Sequence, residues 1–292
     1  MDPGPGGDRG HTATTPTERS WRLLAVGAGY RRCVTGLAYD VAGVGPAVVL
    51  LHSSVGDRRM WDPQWGLLVD AGYRVVRCDF RGHGQSPAPA EPFNAAEDVR
   101  TLLDSLGVGK AAIVGASYGG RVAQEIAARW PERVSELILL CAATRLHPPT
   151  AAIMEFSARE EELLAAGDIA GAAELNVATL LGPAASAATR EVVMRMQRLT
   201  FEIQLAAGDA AQSRESAFVR NADFDLSAVT ARTVVVSGDH DVDYFRSTAD
   251  QLAASIPGAV RVRLPWAGHL PTLEAPATMN PLILNWLGPS PS

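Results

Sequence analysis

Short runs of β-branched and other apolar residues recur at 47–51, 73–78, 111–114, 137–140 and 233–236, each closed by turn residues. Runs with little polar alternation suit strands covered on both faces, as in a parallel sheet. Residues 31–44 alternate less cleanly, and with 21–26 they suggest an antiparallel pair at a sheet edge. Between the runs the spacing becomes helical. Val99, Leu102, Leu103 and Leu106 make one stripe, with Asn94 and Glu97 placed as an N-terminal cap pair. Val122, Ile126 and Trp130 repeat every four residues up to Pro131, which stops a helix. Met279, Leu282, Ile283, Trp286 and Leu287 make a last stripe that Gly288 ends. Strands alternating with helices predict βαβ units and a mostly parallel central sheet flanked by helices, an α/β protein.

One stretch departs from this rhythm. Residues 146–225 are Ala-rich, carry no strand pattern, and space Ile153, Phe156, Leu180, Met194 and Phe201 as helices do. They read as a helical insertion over a core made of 21–145 and 226–292. Residues 1–20 read as a disordered tail, since they have little apolar surface to offset the entropy of ordering.

Composition then narrows the function. With 292 residues, 47% apolar and 20% charged, the chain is ordinary for a globular enzyme. A net charge of −6 argues against a nucleic-acid grip. No apolar run approaches the ~18 residues of a membrane span, and the first 20 residues lack a secretory apolar stretch. Cys33, Cys78 and Cys141 are far apart, which argues against a disulfide framework or a zinc cluster and suits a reducing cytoplasm. The expectation is a cytoplasmic protein acting on a small molecule, with neither nucleic acid nor membrane as partner. Its oligomeric state is not legible.

Directly after the 111–114 run stands Gly115-Ala116-Ser117-Tyr118-Gly119-Gly120, followed by a helical pattern. This is G-x-S-x-G between strand and helix. A serine on so sharp a turn has crowded neighbours two residues away, and glycine at both places relieves the crowding. A hydroxyl is a poor nucleophile until a base takes its proton, and the base needs an orienting carboxylate. Of the downstream histidines His147, His240 and His269, only His269 lies in a loop after the 260–264 run, beside Gly268. Asp239, Asp241 and Asp243 crowd the end of the 233–236 run, and mutual repulsion keeps all three from being buried and charged together. The residues alone leave the choice among them open.

These motifs, with Asp79-Phe80-Arg81-Gly82-His83-Gly84-Gln85-Ser86 and Glu274-Ala275-Pro276, resemble the α/β-hydrolase superfamily over about 46–145 and 230–288. The resemblance implies Ser117 as nucleophile, His269 as base and Asp241, ahead of Asp239, as acid. It implies an oxyanion hole from the backbone N–H groups of Ser54 and Tyr118, and neither metal nor cofactor. The family's usual His-Gly is here His52-Ser53-Ser54, and residues 52–64 are similar to the matching part of 3-oxoadipate enol-lactone hydrolases. The implied activity is hydrolysis of a small carboxylic ester or lactone through an acyl-serine. The same fold also serves carbon–carbon bond hydrolases, thioesterases, cofactor-free haloperoxidases, cyclases or lyases, and ligand receptors. Weaker expectations concern recognition. His83 reads as a turn histidine paired with backbone. Arg58 and Arg59 read as a solvated loop. These two, or Arg145, Arg190, Arg195 or Arg198, are the candidates to meet a substrate carboxylate. A mostly apolar insertion, with Met154, Met194, Met196, Phe156 and Phe201, is expected over the pocket.

Overall fold

The computed structural model describes residues 1, 32–34, 36–207 and 220–288, so most of the expected tail and the 21–26 strand lie outside the described residues. Eight strands form one sheet in the order β1-β2-β4-β3-β5-β6-β7-β8. They are β1 (Arg32–Val34), β2 (Leu37–Ala42), β3 (Ala47–Leu51), β4 (Arg74–Cys78), β5 (Ala111–Ala116), β6 (Val134–Leu140), β7 (Arg232–Gly238) and β8 (Val260–Leu264). From β4 to β8 every pairing is parallel, and β1 and β2 make an antiparallel edge. Among the described residues the edge pair forms within the 31–44 segment; the expected pairing with 21–26 lies outside them. Gly36, at φ 80°, sits between β1 and β2, where the chain must reverse.

The apolar runs are uninterrupted because both faces of the sheet are covered. Val49, Leu51, Ile113, Leu137, Leu139 and Val235 enter one core, with α2 (Ala95–Ser105) and α3 (Tyr118–Arg129). Their neighbours Val48, Leu50, Val114, Ile138, Leu140 and Val236 enter the other. That core is closed by α1 (Asp62–Asp70) and α9 (Pro276–Leu287), through Leu68, Met279, Ile283 and Trp286. Each buried aliphatic side chain contributes about 1.5–3 kcal/mol, so the strands are held chiefly by this two-sided burial. The Asn94 side chain accepts the Glu97 amide at 2.8 Å and starts α2, as expected, while the Glu97 carboxylate turns to Arg129 instead of closing the box.

Between β6 and β7 lie three longer helices: α4 (Ala151–Ala165), α5 (Ile169–Leu180) and α6 (Ala187–Ala206). Thr150, Asp168 and Ser186 cap their N-termini by accepting the amides of Ile153, Gly171 and Thr189. After β7 come α7 (Asp243–Ser255) and, beyond β8, the short α8 (Pro271–Glu274).

Candidate active site

The chain leaves β3 for β4 on one side and returns to pair β5 on the other. Loops diverge at such a reversal, and a crevice opens beyond the carboxyl ends of the strands. Ser54 follows β3, Ser117 follows β5, Asp241 follows β7 and His269 follows β8. A cavity of about 410 Å³ opens there, and Ser54, Ser117, Tyr118 and His269 all line it.

Ser117 adopts φ 49° and ψ −112°, a conformation that costs an ordinary residue about 1–3 kcal/mol. Its surroundings impose it. The Ser117 amide donates to Leu140 O at 2.9 Å, and Ser117 O accepts from Ala143 N at 3.0 Å. A Cβ on Gly115 would lie 2.4 Å from Gly119 O, and one on Gly119 would lie 2.3 Å from Leu51 O. Glycine at both places therefore lets the β5–α3 turn close against itself and against β3. The turn presents Ser117 at the N-terminus of α3, where exposed amides and the helix dipole favour an anion.

His269 Nδ1 and Asp241 Oδ2 are 2.8 Å apart, and both side chains are buried. Asp241 Oδ1 accepts the Val242 amide at 2.8 Å. With Nδ1 carrying the proton toward the carboxylate, His269 Nε2 is left as an acceptor. Phe245 packs on the imidazole with ring centres 4.0 Å apart and shields it. Asp239 does not take part in this contact; it pairs with Arg263 at 3.0 Å. His240 is exposed, and His147 bonds Ser247 at 2.8 Å.

The loop of His269 is tied down by Glu274. Its carboxylate accepts the amides of Gly268 at 2.8 Å, Leu270 at 2.9 Å and Gly182 at 3.2 Å. Burial raises its pKa above the usual carboxylate range, against the lowering effect of these three donors. Leu180 O accepts the His269 amide at 2.7 Å, so the end of α5 is fastened to the same loop.

The loop after β3 is equally fixed. His52 Nε2 accepts the Phe80 amide at 2.8 Å, Nδ1 donates to Ser53 O at 2.8 Å, and His52 O accepts Gly119 N at 3.0 Å. Burial lowers the His52 pKa from its ordinary 6.5 to about 4, so the ring is neutral near pH 7. Among the described residues the Ser54 amide has no acceptor.

Cys141, at φ 46° just after β6, places its sulfur with His269 nitrogen and Asp241 oxygen within 4.8 Å of one another. This trio is poorly disposed to a metal. The imidazole and the carboxylate already bond each other, and burial, then Asp241, pushes the Cys141 pKa well up and keeps the thiol protonated.

Several expectations about recognition are corrected here. Arg58 is not a solvated residue: it is buried and bonds Asp40, Asp79 and Gln85. Arg59 pairs with Asp57. Arg190 donates to Gly182 O, Arg195 pairs with Glu191, and Arg145 and Arg198 are exposed. None of these six borders the cavity, whereas Arg81 and Arg121 do. Arg81 makes a two-pronged contact with Asp98, and Arg121 donates to Asn221 at 2.6 Å. His83 Nδ1 lies 3.1 Å from Arg81 O, the backbone contact expected of it, and His83 also borders the cavity.

The wall supplied by α4–α6 is also less apolar than expected. Phe156 and Phe201 line it, but Met154 is exposed and Met196 packs beside Gly56. Glu160, Asn176, Gln197 and Thr200 line it too. The available sequence signal was periodicity: Gln197, Thr200, Phe201 and Gln204 follow the i, i+3, i+4, i+7 rule of one helix face.

The α/β-hydrolase fold family matches residues 46–276. RutD of Variovorax paradoxus (strain S110), whose provisional name is carbamate hydrolase, is 31% identical over 263 residues, 86% of this chain and 96% of that one. An esterase from Thermogutta terrifontis superposes with a TM-score of 0.70 at 28% identity, covering 86% of this chain and 92% of its own. An enol-lactonase from Burkholderia xenovorans LB400 shares the fold at a TM-score of 0.67 and 24% identity, with coverages of 86% and 96%. By sheet order, by the serine turn beyond β5 and by this match, the chain belongs to the α/β-hydrolase family.

Proposed function

We propose that the protein hydrolyses a small carboxylic ester or lactone through an acyl-serine. The observation that carries this reading is the juxtaposition of a strained, cavity-facing Ser117 with a His269 whose Nδ1 is committed to Asp241. His269 Nε2 takes the Ser117 proton as Oγ attacks the acyl carbon, and Asp241 holds the tautomer and stabilises the imidazolium. The Ser54 and Tyr118 amides receive the oxyanion; one such donor is worth about 3–4 kcal/mol in the transition state. His269 then protonates the leaving alkoxide, and water, activated by the same imidazole, releases the acid. Asp239 is set aside as the acid because it faces Arg263.

The ester assignment is supported by the likeness to the Thermogutta esterase, and the lactone assignment by the sequence of residues 52–64. A carbamate is a second reading, favoured by the RutD relative, and it offers the same carbonyl to Ser117. The free, buried Cys78 and Cys141 support a reducing, cytoplasmic setting. Among the described residues no helix is long and apolar enough to cross a membrane.

The test is covalent labelling. A fluorophosphonate should add at Ser117 alone, and a p-nitrophenyl ester should give a burst of p-nitrophenolate. A label on any other residue, or none, overturns the acyl-serine reading. A panel of esters, lactones and carbamates compared by kcat/KM then ranks the three carbonyl classes.

A further inference from the structure

The helical wall of the cavity carries polar atoms that the protein does not satisfy. Asn176, Gln197 and Thr200 are each at most 3% exposed and line the cavity. Asn176 Oδ1, Gln197 Oε1 and Thr200 Oγ1 have no hydrogen-bond partner among the described residues. The Asn176 amide cannot be turned to hide its oxygen, because Nδ2 already donates to the Glu160 carboxylate and, at 2.9 Å, to Ala172 O. Leaving such groups unpaired costs stability, and apolar residues of the same size would avoid that cost. Three of them on one wall call for a ligand.

We infer that Asn176, Gln197 and Thr200, with Glu160, form a recognition site for an uncharged hydrogen-bond donor on the substrate, a hydroxyl or an amide N–H. The inference rests on the serine-hydrolase reading only in taking the ligand to be part of the ester, lactone or carbamate. The wall is dominated by acceptors: the Asn176 oxygen, fixed by its Nδ2 bonds, and the Glu160 carboxyl, with a Gln197 amide and a Thr200 hydroxyl that can turn to complete the network. Burial raises the Glu160 pKa, Asn176 opposes the rise, and Glu161 adds to it. The donor is neutral because the same cavity holds charges of both signs. Arg81 and Arg121 line it and repel an ammonium, and Glu160 repels a carboxylate. The placement follows from three helical faces. Ile153, Phe156 and Glu160 come from α4, Asn176 and Leu180 from α5, and Gln197, Thr200 and Phe201 from α6. Each face mixes apolar and polar groups, as a site that orients a small ligand does.

The experiment compares p-nitrophenyl esters of ω-hydroxyalkanoic acids, six to eight carbons long, with their ω-methyl isosteres and with 6-aminohexanoate. One hydroxyl ester should exceed its isostere in kcat/KM by about tenfold, the worth of one satisfied hydrogen bond. In the double variant Thr200→Val, Gln197→Met that ratio should fall to about one. Its Tm should equal or exceed that of the wild type, because two unpaired buried groups are gone. A wild type with no hydroxyl preference, a preference that survives the double variant, or a preference for the ammonium ester overturns the inference. Binding of 6-hydroxyhexanamide against heptanamide, followed by NMR titration, reads the same preference without turnover. An enzyme that turns over no ester therefore defeats the serine reading alone, and equal binding of the two amides defeats this one.

Discussion

The two sides of the cavity are built on opposite principles. On the sheet side the functional groups are held by backbone geometry. Ser117 is forced to positive φ by crowding at Gly115 and Gly119, the His269 imidazole is bonded to Asp241, and Glu274 gathers three amides around the loop. The strain is local, and the bonds that hold these loops are closed within the protein. On the helical side the backbone is relaxed, with ordinary caps on α4–α6, and the exposed cost lies in side chains: three buried polar atoms without partners. Chemistry needs reacting atoms held within a fraction of an ångström before any substrate arrives. Recognition needs unmet hydrogen-bonding capacity that only the right substrate meets. On the proposed reading, the contrast separates a backbone-held reaction centre from a helical wall that sets selectivity.

Substitutions on the sheet side should give the largest effects. Ser117→Ala should lower turnover by roughly 10⁴–10⁶ and leave the fold intact, since alanine inherits the same strained turn. Ser117→Gly should be equally inactive but about 1–2 kcal/mol more stable than the alanine variant, because glycine accepts φ 49° without strain. Urea denaturation of the two inactive proteins measures this; equal stabilities would show that the turn stores no strain.

Asp241→Asn should cost up to ~10⁴ in turnover, since an amide favours the wrong imidazole tautomer. Asp239→Asn breaks only the contact with Arg263 and should stay near wild type. Steady-state kinetics of the pair decides the matter, and the reverse ranking would move the acid's role to Asp239.

The fixing of the loop after β3 by buried His52 should appear in the pH dependence of stability. His52 is neutral when folded, with a pKa of about 4, and titrates near 6.5 when unfolded. Between these values the unfolded chain binds the extra proton, so His52 lowers stability as pH falls from 6.5 toward 4. The full loss is about 3 kcal/mol. Unfolding free energies measured from pH 7.5 to 4.5 should fall more steeply for wild type than for His52→Asn. Parallel curves would mean the ring is not buried neutral.

Glu274→Gln tests whether the His269 loop is held as described. A carboxamide has one acceptor oxygen where the carboxylate offers two, so one of the amides at Gly182, Gly268 or Leu270 would face an N–H group. We expect a loss of roughly 1–3 kcal/mol in stability and up to about 100-fold in kcat/KM. The pH–rate profile should keep its shape, because the acid and base are unchanged. A shifted profile would mean that Glu274 acts on the His269 proton itself.

Much of the sheet side was legible from residue order, because its constraints are local or periodic. Unbroken apolar runs mark strands buried on both faces, glycines two places either side of a serine mark the sharp turn after β5, and Asn94 marks the start of α2. What tertiary structure decided are the meetings of side chains distant in sequence. The chemistry of the residues alone left Asp241 and Asp239 unranked, and only the family resemblance put Asp241 first; the His269 contact and the Arg263 contact separate them in space. Residue order offered Arg58 as a solvated residue, yet the fold places it against buried Asp79, where its charge is needed. Periodicity sets Gln197 and Thr200 on one helix face with Phe201, but it gave no reason to expect that face, or Asn176, at a cavity. A polar residue on a helix looks the same in sequence whether its face meets water or a closed cavity. Only the packing of α4–α6 over the strand ends brings Asn176, Gln197 and Thr200 to the cavity that Ser117 also lines and leaves their oxygens unpaired.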